Sequence, residues 1–189
     1  LINYPDEVAY VEKIVDDIIK SLLAEEELVQ DPANRESHPR IFLIILPWYD
    51  FRDIDIITEK LYKRKMSSFS CKALVHKCLS EIQVLREIMY QVAPLLAEQD
   101  MPRVEVERST ETSRSVDVED ETMHLTKKLE GYLKGKRFLI ILQCVSKGEW
   151  NTIRSALLHV TAQGSPGSAI VITTGYADLV ESPYKILKP

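Results

Sequence analysis

The chain has 189 residues, 45% of them hydrophobic, and a formal net charge of −5 from 24 Lys and Arg against 29 Asp and Glu. This length and apolar content suit one well-packed core, and no Pro/Gly/Ser-rich linker divides the sequence, so we predict a single domain over 1–189. The acidic balance argues against a nucleic-acid-binding protein, and no apolar run reaches the roughly 18 residues of a membrane-spanning helix.

Basic residues cluster locally at 60–65 and at 127–136, while acidic residues are interleaved through the rest of the chain. Binding to nucleic acid normally requires a continuous basic face, because most of the affinity comes from neutralised phosphates. We therefore interpret both clusters as solvated helix faces.

The three cysteines, Cys71, Cys78 and Cys144, form neither an even framework nor a C-x-x-C pair. Cys71 and His76 would face opposite sides of a strand, so they do not converge on a zinc ion. We expect buried thiols in a reducing compartment, and therefore a cytoplasmic protein with the nucleus as a second location.

The first half of the sequence alternates between amphipathic helices and an apolar strand. Residues 6–28 carry apolar residues at helical spacing, and Asp6 is placed to cap the first turn. The continuous apolar run 41–46, which Pro47 stops, is typical of a strand buried on both faces. A short helix is predicted from Asp53 onward, with three residues directed inward: Ile54, Ile57 and Leu61.

The second half continues this alternation and contains one long charged connection. That connection, 98–118, is poor in large apolar residues and is predicted to be exposed. Pro94 is expected to end the preceding helix early, and Met123, Leu129 and Leu133 are expected to face inward from the following one. The predicted elements are a strand at Cys71–Val75, helices at 79–96 and 119–135, a strand at Phe138–Leu142, a helix at 150–160 and a strand at 168–174.

Strands that alternate with helices in this way predict an α/β fold, a parallel sheet with helices on both faces. In open sheets of this kind, ligands bind beyond the carboxyl ends of the strands. The segments that follow Leu46, Val75, Leu142 and Thr174 are therefore where a functional site is expected.

Two of these strands lie in segments with recognisable motifs. Residues 136–145 place basic and aromatic residues before an apolar strand, and Trp150 follows shortly after. Residues 167–174 combine a Gly-Ser turn, an apolar strand and two threonines. In this order they resemble the second kinase motif and the next motif of NB-ARC domains, the nucleotide-binding domains of plant NLR disease-resistance proteins.

Three further segments resemble the same family, and all five occur in the family's order. Residues 8–14 are similar to the helix before the phosphate loop, 69–75 to the second strand, and 184–189 to the start of the next helical subdomain. The resemblance implies a P-loop-NTPase-like parallel sheet of about four to five strands. It also implies a domain that binds ADP or ATP with magnesium.

The phosphate loop of that family is absent from this sequence. The motif is G-x-x-x-x-G-K-[ST], because glycines let successive backbone N–H groups converge on the phosphates. At the expected place, residues 46–54 read LPWYDFRDI, with no Gly, Lys, Ser or Thr, and Pro47 has no N–H to donate. The first glycine of the chain is Gly131, so no shift of the alignment restores the motif.

Six residues occupy the family's phosphate-loop positions: Trp48, Tyr49, Asp50, Phe51, Arg52 and Asp53. The two aspartates add negative charge where a triphosphate would lie, and Asp53 is interpreted as the N-cap of the following helix. Arg52 is the one cation here that could replace the missing lysine, although a surface arginine is the simpler interpretation. The three aromatic rings are expected to fill the vacated pocket or to contact a partner.

Other nucleotide contacts of the family are also missing. The resemblance places a magnesium-holding carboxylate and a second acid at the end of the third strand, where this chain has Gln143 and Cys144. Neither side chain offers the hard anionic oxygen that magnesium prefers. Thr173 and Thr174 match the family's threonine pair, but Gly175 stands where the family has an arginine. Residues 8–9 also lack the glycine that the family places near the base.

Three functions remain to be weighed. The first is a pseudo-nucleotide-binding domain of a plant NLR immune receptor that acts in defence as a scaffold or interaction domain, without catalysis, metal or cofactor. Its partners would be other domains of the same receptor or another NLR protein. The alternative is a non-standard switch that binds ADP or ATP with magnesium through Arg52, Thr173 and Thr174. A third class, an unrelated enzyme, lacks support because neither Cys144 nor His76 belongs to a defensible set of nucleophile, base and orienting residue.

Overall fold

The computed structural model describes residues 4–24, 39–45, 51–76, 80–95, 97, 114–143, 145–175 and 185–187. In this part of the chain, strands alternate with helices from the first helix to the last strand. The strands are β1 Arg40–Ile45, β2 Cys71–Val75, β3 Phe138–Leu142, β4 Ala169–Thr174 and β5 Lys185–Leu187. The helices are α1 Tyr4–Ala24, α2 Phe51–Lys63, α3 Glu81–Val92, α4 Arg114–Leu133 and α5 Lys147–Thr161.

The five strands form one sheet in the order β2-β3-β4-β1-β5, and every strand pair is parallel. β1 therefore lies between β4 and β5, unlike the doubly wound orders in which the first strand adjoins the second. Parallel strands need helical crossovers, and these cover both faces of the sheet, which is why the strands are mostly apolar. The predicted P-loop-NTPase-like α/β fold is confirmed.

Each strand contributes to two cores, because successive side chains face opposite sides of the sheet. Helices α1 and α2 cover one face and pack on Phe42, Ile44, Leu139, Ile141 and Val171. Helices α3, α4 and α5 cover the other face and pack on Leu43, Ala73, Ile140, Leu142 and Ile172. The carboxyl ends of the strands consequently meet at one edge, between α2 on one side and α3 and α5 on the other.

A capping box starts α5 directly after β3. The Ser146 hydroxyl accepts a hydrogen bond from the Glu149 N–H, and the Glu149 carboxylate accepts one from the Ser146 N–H at 2.7 Å. Two of the backbone donors at the start of the helix are thereby satisfied. The helix accordingly begins at Lys147, earlier than the predicted start at Trp150.

The predicted caps of the first two helices are wrong. Helix α1 begins at Tyr4 and α2 begins at Phe51, so Asp6 and Asp53 lie inside the first turns and are not N-cap residues. Aspartate is also favourable there, because the helix N-terminus carries a partial positive charge. The sequence signal for a helix start is therefore displaced by a few residues. The last part of the predicted first helix, 25–28, lies outside the described residues.

The charged connection is shorter than predicted, because α4 begins at Arg114 and includes 114–118. The remainder of the predicted connection, 98–113, lies outside the described residues.

Met123 is 55% exposed and does not face inward as predicted. The buried residues of α4 recur every four positions, at Leu125, Leu129 and Leu133. Met123 lies two residues before Leu125 and therefore falls on the opposite side of the helix.

Helix α3 ends early, as Pro94 predicts. Its last residue is Val92, and Ala93 leaves the helical region with φ −140° and ψ 62°. A residue before proline is pushed out of the α region because the proline ring would clash with it. None of the described helices is long and apolar enough to cross a membrane.

Candidate functional site

The carboxyl edge of the sheet is where a ligand site is expected, and the structure covers part of it. Trp48, Tyr49, Asp50 and Cys144 lie outside the described residues. Phe51, Arg52 and Asp53 form the first turn of α2, but the directions of their side chains are not described. The predicted site residues whose surroundings can be given are Gln143, Thr173 and Thr174.

Gln143 follows β3 directly and is 4% exposed. Its backbone N–H donates to the Val75 carbonyl at 2.9 Å, which extends the pairing of β3 with β2 by one residue. Its side-chain Oε1 lies 2.7 Å from the His76 Nδ1, and its Nε2 donates to the Asp55 carboxylate. We call Gln143, His76 and Asp55 the amide cluster. It connects the ends of β2 and β3 to the second turn of α2.

The cluster has one consistent arrangement of protons. An ionised carboxylate only accepts hydrogen bonds, so Asp55 requires the amide nitrogen of Gln143 to face it. The amide oxygen then faces His76, and the imidazole must donate through Nδ1–H. In the neutral ring this leaves Nε2 as the acceptor. Both polar atoms of the buried amide are therefore engaged, as a buried amide requires.

Two carboxyl groups, those of Glu87 and Glu59, have pKa values that are influenced by His76. Burial raises the pKa of the Glu87 carboxyl above its usual range, and the nearby His76, through its charge and its backbone N–H, acts in the opposite direction. The pKa of Glu59 is lowered mainly by its hydrogen bond with Lys63, and His76 contributes a smaller effect in the same direction.

These carboxylates do not form a metal site in the part of the chain that the structure describes. No group of three or more His, Cys, Asp or Glu side chains is arranged there to hold a metal ion. A magnesium ion requires several oxygen ligands in near-ideal octahedral geometry. The carboxylate of Asp55 accepts the hydrogen bond from Gln143 instead.

The threonine pair ends β4, next to β3. Both side chains are fully buried, and the Thr173 hydroxyl donates to the Leu142 carbonyl at 3.4 Å. The Thr173 carbonyl accepts from the Val145 N–H at 3.0 Å, so the segment after β3 is attached to the end of β4. The structure therefore places Gln143 and Thr173 at the ends of the neighbouring strands β3 and β4. The hydroxyl and the carbonyl of Thr173 are thus both hydrogen-bonded to backbone groups of the protein.

Asp55 is the cluster member that sequence analysis does not identify. It stands in an amphipathic helix and is exposed, so the pattern alone suggests a solvated residue. The one available signal is indirect: an amide that follows a buried strand needs partners for both of its polar atoms. His76 lies directly after the last residue of β2, and both His124 and His159 are exposed.

The first basic cluster is paired with carboxylates. Lys60 and Arg64 both contact Glu12, and Arg64 also lies 3.0 Å from Asp16, so α2 is joined to α1. Lys63 pairs with Glu59 at 2.7 Å within the helix. The expectation of a solvated helix face is thus refined to an ion-paired face between two helices.

Cys71 is a buried free thiol, as predicted. Burial raises its pKa, which keeps the sulfur protonated and unreactive. Among the described residues, the strand edge combines a buried amide with one histidine and one carboxylate that are both hydrogen-bonded to it. No protein-family model matches this sequence, and no curated protein matches it.

Proposed function

We propose that this chain is a pseudo-nucleotide-binding domain of the NB-ARC type, which serves as a scaffold or interaction domain in a plant NLR immune receptor. The α/β fold and the order of the family-like segments along the chain support this assignment. The proposal includes the absence of catalysis, since the residues that would hold and hydrolyse a nucleoside triphosphate are replaced.

The observation that carries the proposal is the state of Gln143. It occupies the strand end where the family has its magnesium carboxylate, and both polar atoms of its amide are bound to His76 and Asp55. An amide offers no anionic oxygen to a hard cation, and this amide is already committed to protein partners. Restoring a magnesium site would require both a carboxylate at this position and the loss of these hydrogen bonds.

The sequence after β1 supports the same conclusion independently. Residues 46–54 contain no glycine and no lysine, and Pro47 lacks a backbone donor. A phosphate loop binds through converging N–H groups and a lysine ammonium. The segment therefore lacks both the glycines that let backbone N–H groups converge on a phosphate and the lysine that would supply the ammonium.

The partners we propose are proteins. They are other domains of the same receptor, or another NLR protein, in the cytoplasm or the nucleus. The aromatic residues Trp48, Tyr49 and Phe51 are the candidates for the replaced function, either as a plug of the vacated pocket or as part of the contact surface.

Thermal unfolding with and without millimolar ADP or ATP and magnesium tests the proposal. A ligand at about 100 times its Kd stabilises the folded state by roughly 2.7 kcal/mol. For a chain of this size, that stabilisation raises Tm by roughly 5–11 °C. We expect no shift with either nucleotide. A reproducible rise of this size would overturn the proposal and favour the nucleotide switch.

Two variants and a control would locate any binding that is found. The nucleotide switch depends on Arg52 and Thr174, so Arg52→Ala and Thr174→Val would abolish the shift if binding occurs at the family site. Lys134→Ala, an exposed residue at the end of α4, is the matched control and would leave it unchanged. A shift that all three variants retain would indicate binding elsewhere on the surface.

A further inference from the structure

The amide cluster joins two parts of the fold that are distant along the chain. Asp55 lies in the second turn of α2, and Gln143, 88 residues later, follows β3. In the sheet, β4 separates β1 from β3, so this hydrogen bond does not duplicate a contact between neighbouring strands. It attaches the helix after the first strand to the end of the third strand.

A bound nucleotide joins the same two parts in P-loop NTPases. There the magnesium ion is held by a side chain at the start of the helix after the first strand. A carboxylate at the end of a second, separate strand supplies the other protein ligand. In this chain the corresponding connection is made by protein atoms alone, from Asp55 through Gln143.

We propose that the hydrogen bond between Gln143 and Asp55 is an internal clamp, which replaces the structural role of magnesium and nucleotide and holds the first half of α2 on the sheet without a ligand. The clamp rests on the proposed function, because it assigns a structural role to the residue that removes the magnesium site. A domain held in this way keeps one arrangement of α2 whatever the nucleotide concentration.

The polar contacts of the two halves of α2 differ, and this difference supports a role for the clamp in holding the first half of the helix. In the second half, Lys72 Nζ donates to the carbonyls of Tyr62 and Arg64 at 2.6 and 2.9 Å. In the first half, the hydroxyl of Thr58 donates back to the Ile54 carbonyl of its own helix. Asp55 in this half is joined to the end of β3 by its hydrogen bond with Gln143.

His76 has a positioning role in the clamp. Its Nδ1 holds the amide oxygen of Gln143, and the opposite end of a planar amide must then point at Asp55. The backbone of Gln143 is fixed independently by its hydrogen bond to Val75. The orientation of the amide is therefore determined from two sides, and the donor presented to α2 is preorganised.

Hydrogen exchange of the α2 amides, measured without nucleotide, tests the clamp. Gln143→Leu keeps the buried volume and removes the amide, while Asp55→Ala removes the acceptor at an exposed position. For both variants we expect exchange at 54–58 to accelerate on the order of tenfold, and exchange at 60–64 to stay unchanged. Asp55→Asn retains an oxygen that accepts from Gln143, and we expect it to restore most of the protection.

Gln163→Leu is the matched control for the loss of an amide. Gln163 is exposed, and its amide donates to Glu130 of α4, which packs on the other face of the sheet from α2, so its loss should leave exchange in α2 unchanged. Wild-type exchange at 54–58 in both Gln143→Leu and Asp55→Ala would overturn the clamp. If Gln143→Leu fails to fold, Asp55→Ala decides the question alone. If magnesium and ADP slow the exchange of the α2 amides in the wild type, the proposed function is overturned. The clamp is tested separately, because the variants are compared without nucleotide.

Discussion

Gln91 pairs its side chain with the outer edge of the sheet, and replacing it by leucine should destabilise the protein markedly. β2 is an edge strand, and the Gln91 Oε1 accepts from the Leu74 N–H while Nε2 donates to the Leu74 carbonyl, both at 2.8 Å. The amide thus occupies the two backbone groups that another strand would use. Gln91→Leu removes both hydrogen bonds. The backbone N–H and carbonyl of Leu74, a residue that is 4% exposed, then lose these partners.

The magnitude follows from those two bonds. Each net hydrogen bond contributes about 1 kcal/mol, and a buried donor or acceptor left unsatisfied costs about 1–3 kcal/mol. Water at the sheet edge recovers part of this, so we expect a loss of about 3 kcal/mol in the free energy of unfolding. For a chain of this size, the corresponding decrease in Tm is about 6–12 °C.

Urea unfolding of the wild type and three variants measures the effect. Gln83→Leu makes the same substitution at an exposed position of the same helix, where it removes one exposed hydrogen bond from the Ser80 hydroxyl, and should cost no more than about 1 kcal/mol. Gln91→Glu keeps the acceptor for the Leu74 N–H but places a carboxylate oxygen against the Leu74 carbonyl. It should be destabilised at neutral pH and should recover in acid, where the protonated carboxyl donates again.

A Gln91→Leu protein as stable as Gln83→Leu would refute the reasoning, because Leu74 would then be satisfied by other groups. Size-exclusion chromatography of the folded variant gives a second readout. An exposed pair of backbone groups on an edge strand favours pairing with another chain, so the variant should associate more than the wild type at equal concentration.

Three further predictions concern packing, charge and a helix cap. Gly164→Ala places a Cβ against the Phe138 ring, and thermal unfolding should show a cost of about 1–3 kcal/mol unless the ring moves freely. The pKa of Glu12 is lowered mainly by its hydrogen bond with Lys60, so its contribution to stability is present above the ordinary glutamate value of 4.5 and is lost as the pH falls through the lowered value. Acid titration of unfolding should therefore be flatter for Glu12→Gln than for the wild type, and equal slopes would contradict this. Ser146→Ala should cost about 1 kcal/mol in urea unfolding through the loss of its capping box, and an unchanged midpoint would show that water replaces the cap.

Four of the five strand positions followed from the sequence with little error, whereas no strand was predicted at β5. The predicted strands Cys71–Val75 and Phe138–Leu142 coincide with β2 and β3, because mostly apolar runs of this length suit a sheet covered on both faces. The inward residues Ile54, Ile57 and Leu61 of α2 are also buried as predicted. These properties depend on periodicity along a short segment, which one sequence contains in full.

Helix ends were less predictable because several residues compete for the same role. Asp53 has the chemistry of a cap, but the helix starts at Phe51 and makes it a first-turn residue. Met123 has the hydrophobicity of a core residue, but the buried stripe of α4 passes on its other side. In both cases packing against the rest of the domain selects one of two locally acceptable solutions.

The sequence by itself determined the class of fold, the buried strands and the absence of a phosphate loop, since each is recorded in local composition and spacing. Only the tertiary structure decided the strand order, the edge pairing of Gln91 with Leu74 and the contact of Gln143 with His76 and Asp55. These features join residues far apart along the chain. Their hydrogen bonds depend on how distant elements come together, and no local pattern specifies which partner a buried amide will meet.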